Sequence, residues 1–152
     1  MIEIEKSKTA DTRSCDFSQV TKEQLYSSSI QHIGDVKQGM EFFKELIDKA
    51  IVLHDFDKLT AIDHFHADFI TGFKETGWWD NHRKVNRHHL LEKDGTPIDV
   101  NLVDVLDMIV DCVMAGMGRT GKIYPLEINT EVLKTAFDNT VILLKSQVVV
   151  KS

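Results

Sequence analysis

Seven histidines stand among the 152 residues, and aspartates recur close to several of them. His54 and Asp55 are adjacent, and Lys58 follows three residues after Asp55. His82, His88 and His89 cluster near Trp78 and Trp79, Asp104, Asp107 and Asp111 follow at about one-turn intervals, and His32 lies upstream. Imidazole with carboxylate suits borderline first-row divalent ions such as Mn, Fe, Co, Ni or Zn, with Mg the harder alternative. Ions held this way activate water and offset charge on a phosphoryl group. Cys15 and Cys112 form no CxxC pair. They therefore suggest neither a disulfide scaffold nor a thiolate zinc site, and they fit a reducing compartment.

The elements that must position these residues read as helices. A capping box at Thr21–Gln24 opens a helical pattern carried by Leu25, Ile30, Ile33, Val36, Met40, Phe43, Ile47 and Ile51, ending near Leu53, with Gly34 or Gly39 as possible breaks. A second capping pattern, Thr60–Asp63, predicts a helix to about Phe73. Trp78–Leu90 reads as a short helix with loops, and Glu92–Gly95 as a turn. Thr96 as cap with Pro97 in first position predicts a helix to about Met117, whose core stripe is Val103, Leu106, Val110, Val113 and Met117. Asp107 and Asp111 border that stripe, where a carboxylate is costly unless paired or ligating. A last helix is expected over residues 130–148. Val148–Val150 is β-prone, and strand evidence is otherwise thin. The expectation is an all-α, single-domain helical bundle of five or six helices over residues 21–150, preceded by an irregular arm at 1–20.

The chain is 42% apolar and 28% charged, ordinary values for a globular domain. A net charge of −6 argues against a broad nucleic-acid surface. No apolar run approaches the ~20 residues that span a bilayer, and the first residues lack the apolar core of a signal peptide. A cytoplasmic location is expected, the host cytoplasm if the chain is phage-encoded.

The order His32, His54-Asp55, then a later Asp resembles the H…HD…D signature of the HD superfamily of metal-dependent phosphohydrolases. His54-Asp-Phe-Asp-Lys58 is similar to its HDxxK form, and His82 with Asn86-Arg-His88-His89 resembles the added histidines of its two-metal branch. The set also looks like a small HD-like family common in phages and bacteria, whose late Asp precedes an apolar residue and Ala, as Asp111 does before Ala115. The likeness runs from Ser29 to Ala115, with short spacings from His32 to His54 and from His82 to His88. A Gly-Tyr-Pro signature is missing, so the cyclic-dinucleotide subgroup is not implied.

The resemblance implies an HD-like helical fold with one or two divalent ions. His32, His54, Asp55 and Asp111 would serve the first ion, and Asp55, His82, His88 and His89 the second. Asp55 would be the central catalytic carboxylate, and a metal-activated water would attack phosphorus. Lys58 would be catalytic or hold a substrate phosphate; Arg83, Arg87, Arg119 and Lys122 are further phosphate candidates. The expected partner is a small phosphorylated substrate such as a nucleotide. Two alternatives stay open: a non-catalytic metal-stabilised binding or regulatory protein, and an HD-fold di-iron oxygenase.

Blander readings apply to other residues. His64 and His66 read as a solvated helix face, and Asp104 and Asp107 as a solvated edge or as carboxylates orienting a ligating imidazole. Asp57 reads as an orienting carboxylate or a helix cap. Trp78 and Trp79 read as core anchors, with base stacking as the alternative.

Overall fold

In a computed structural model, residues 1–6, 16–91 and 95–151 are described. Cys15 and most of the turn expected at residues 92–95 lie outside them. The chain is all-α apart from one two-stranded sheet. In order come β1 (Ile2–Glu5), a 3-10 turn at Phe17–Gln19, α1 (Lys22–Leu53), α2 (Phe56–Thr60), α3 (Ile62–Phe69), α4 (Trp78–Val85), α5 (Leu102–Thr120), α6 (Thr130–Gln147) and β2 (Val148–Lys151). They divide into one unit of Met1–Glu45 with Ile142–Ser152 and a second of Leu46–Val141.

In the first unit, β1 pairs in parallel with β2, Ile2 opposite Val148 and Glu5 opposite Lys151. The stretch expected to be an irregular arm thus begins with a strand, because Val148–Lys151 supplies its partner. The Thr21–Gln24 capping box forms in full: the Gln24 N–H donates to Thr21 Oγ1 at 3.2 Å, and the Thr21 N–H to Gln24 Oε1 at 2.9 Å. It launches a helix of 32 residues that neither Gly34 nor Gly39 interrupts.

In the second unit, Leu90, Val100, Val105, Met108 and Ala136 form the buried core, with Cys112, Leu126, Ile128 and Val132 packed against it. α5 begins at Leu102 rather than at Pro97. Asn101 accepts from the Val103 N–H, and Asp104 accepts from the Asn101 N–H. This second capping box takes the helix start, and Pro97–Val100 closes as a turn. The cap expected at Thr60 also fails, because α2 is already helical from Phe56 and Ala61 breaks it from α3. α3 ends at Phe69, short of Phe73. At the far end of α5, a Cβ on Gly116 would lie 2.7 Å from the Lys122 carbonyl oxygen, so only glycine lets the returning chain pack there.

Candidate metal centre

α1 ends at Leu53, and Asp55 takes a left-handed conformation with φ 53°. Asp tolerates this region better than most residues, but such positions persist only where neighbours hold them. Asn86 does so here, its Oδ1 accepting the Asp55 N–H at 2.9 Å. The same Asn86 donates to Asp57 at 2.8 Å and to the His82 carbonyl at 3.1 Å. One buried amide thereby ties the His54-Asp55 turn to α2 and α4.

α4 is fixed in turn by Asp68, a fully buried carboxylate that accepts the Thr76 N–H at 2.9 Å and the Trp79 N–H at 3.0 Å. Burial opposes its ionisation, but these backbone donors prevail and hold it below the ordinary carboxylate value. Trp78 stacks between Phe65 and His82, at 4.4 and 4.7 Å, as a core anchor. Trp79 lies against His82 and His89.

Three imidazoles turn Nε2 toward Asp55: His54 at 3.6 Å, His82 at 3.3 Å and His88 at 3.7 Å. His89 Nε2 approaches His82 Nε2 at 3.0 Å. Two groups result, His54–Asp55–His88 and Asp55–His82–His89, each with one donor atom per residue lying within 4.8 Å of the others. Asp55 belongs to both. Asp111 Oδ1 stands 3.8 Å from His54 Nε2.

Behind the rings, carboxylates take the other nitrogens. Asp107 receives His54 Nδ1 at 2.8 Å on one oxygen and faces His88 Nδ1 at 3.5 Å with the other. Asp57 meets His82 Nδ1 at 3.0 Å. A carboxylate accepting Nδ1–H fixes the tautomer and leaves the Nε2 lone pair free, the arrangement that orients metal-ligating histidine.

Electrostatics agree with that preparation. Burial pushes His88 down, opposed by Asp107, and drives His89 to about 3, reinforced by His88 and His82. Both rings are therefore neutral and able to coordinate. Burial alone would raise Asp55, but the Lys58 ammonium on its Oδ2, with His54 and His88, holds it below the usual range. Asp55 Oδ1 and His88 Nε2 are buried without a hydrogen-bond partner among the described residues. Leaving such atoms unsatisfied is costly. A divalent cation would satisfy both, so the donor set fits one.

The remaining expected residues lie as follows. His32 is exposed on α1, six helical turns before His54, and belongs to neither group. Lys58 pairs with Asp55. Arg87 forks onto Asp104 at 2.8 and 2.9 Å and reaches Asp99, so it is committed to an internal ion pair. Asp104 thus serves Arg87 and the α5 cap. Arg83 bonds Asp80 at 2.6 Å yet lines a cavity of about 200 Å³ with Trp79, His88, His89, Leu91 and Asp111. Arg119 and Lys122 are exposed at the end of α5 and just beyond it.

The roles of Asn86 and Asp68 went unread in the sequence. Asn86 stands in the motif without a signal for its bonds, and Asp68 has none. Compared with protein-family models, curated proteins and solved structures, the chain matches none.

Proposed function

We propose that this protein is a divalent-metal-dependent phosphohydrolase acting on a small phosphate ester such as a nucleotide. The observation that carries the reading is Asp55, shared by two histidine groups whose rings are backed by Asp107 and Asp57. The ordered resemblance to the HD superfamily agrees with it. His54, Asp55 and His88 would hold one cation, with Asp111 at its margin; Asp55, His82 and His89 would hold a second. Bound there, such ions supply an acidified water and neutralise phosphoryl charge.

The chain's own residues do the rest. Asp107 and Asp57 keep the rings in register and in the ligating tautomer. Lys58, within reach of Asp55, is the nearest ammonium to meet a phosphate oxygen. The cavity of about 200 Å³ beside His88, His89 and Asp111 admits a phosphoryl group and part of its ester, which favours a small substrate.

The test is hydrolysis of a panel of nucleotides and phosphomonoesters after reconstitution with Mn, Fe, Co, Ni, Zn or Mg. Turnover by wild type that Asp55→Asn abolishes supports the reading. Metal uptake with no turnover across the panel would refute hydrolysis and point to a binding or regulatory role. Oxygen consumption with an iron-loaded sample would point to the di-iron alternative.

A further inference from the structure

The first unit carries almost no core of its own. Among its described residues, Ile2 is the one buried apolar side chain. Its parallel sheet has two strands, fewer than independent stability requires. Gln31 and Gln38 of α1 donate to the carbonyls of Glu5 and Glu3, which ties β1 to the helix. α1 meanwhile leaves apolar residues outside: Ile33 is 52% exposed, Val36 49% and Met40 64%. With Phe43 these residues are spaced three, four and three apart, the alternation of a coiled-coil seam. A helix this long draws its stability from packing such a stripe.

The charges beside the seam identify the partner. Lys37, Glu41, Lys44 and Asp48 are all exposed along one flank of α1. Read along the helix their signs run plus, minus, plus, minus; read backwards they run minus, plus, minus, plus. An antiparallel copy of the same helix therefore meets opposite charges throughout, Lys37 facing Asp48 and Lys44 facing Glu41. A parallel copy in register would meet like charges.

We propose that α1 is a self-association surface on which a second copy of this chain packs antiparallel, seam to seam. The symmetry is that of an isologous two-fold dimer. In this register His32 of one copy lies level with Leu53 of the other, beside His54. The inference does not depend on the metal reading.

The test uses the full chain and three surface variants. Wild type should sediment as a dimer at micromolar concentration, with a Tm that rises with protein concentration. Lys37→Glu with Lys44→Glu makes the flank uniformly negative, and Glu41→Lys with Asp48→Lys makes it uniformly positive. Each double variant should self-associate more than tenfold more weakly, and mixing the two should restore a heterodimer. The quadruple variant, whose signs alternate again, should dimerise like wild type. A wild type that stays at 17.3 kDa with a concentration-independent Tm would overturn the proposal. So would double variants that dimerise like wild type.

Discussion

Replacing Asp107 tests the candidate centre at its most shared support. One oxygen takes His54 Nδ1 at 2.8 Å and the other faces His88 Nδ1 at 3.5 Å. Asn keeps one acceptor but presents an N–H at the second position, so only one ring retains its proper partner. Ala removes both. Loss of one such orienting partner typically weakens metal affinity about 10- to 100-fold. Asp107→Asn should fall in that range, roughly 1.4–2.7 kcal/mol of binding free energy. Asp107→Ala should lie at or beyond its upper end. Calorimetric titration with Mn(II) or Co(II) reads the affinity directly. The control is Asp104→Asn, one turn away, which loosens the Arg87 pair and the α5 cap but touches no candidate ligand. It should lower thermal stability and leave affinity unchanged. Unaltered affinity in Asp107→Ala, with its fold intact, would refute the claim that this carboxylate prepares two ligands.

Other expectations follow from the same geometry. Lys58→Ala should raise KM for a phosphate ester several-fold while metal content stays at the wild-type level, read by steady-state kinetics beside elemental analysis. Ala at both His64 and His66 should leave metal content unchanged, since neither belongs to the clusters. Asp68→Ala strands the Thr76 and Trp79 N–H donors and should lower Tm on the order of 5 °C or more. Because the Asp68 pKa is depressed in the fold, its stabilisation is present above the unfolded value near 4 and lost as pH falls through the lower folded value. Thermal melts of Asp68→Asn should therefore show a shallower acid decline than wild type.

Local signals in the sequence went furthest where a single element decided the outcome. The Thr21–Gln24 box and the apolar periodicity specify α1, and α6 starts where Asn129 marks it, the Glu131 N–H donating to Asn129 Oδ1. The start of α5 was legible only as a choice between two caps, and the Asn101–Asp104 box prevailed over Thr96-Pro97. Val148–Val150 read as β-prone, but its partner lies at Ile2–Glu5, a pairing across nearly the whole chain that no local pattern announces. At the site, His54, Asp55, His82, His88 and His89 were legible because residue type and order suffice. Asp107 and Asp57 were not separable from a solvated edge or cap, since their roles depend on ring orientation across helices. His32 was drawn in by order along the chain, whereas an unbroken α1 carries it six turns from His54.

Metal content per chain tests the central claim most directly. The protein would be purified without a metal-affinity tag and measured by elemental mass spectrometry, as isolated and after reconstitution, beside Asp55→Ala. The account predicts between one and two equivalents of a first-row divalent metal in wild type and near zero in the variant. Near-zero content in wild type that added metal cannot restore would contradict it, as would a variant that keeps its metal.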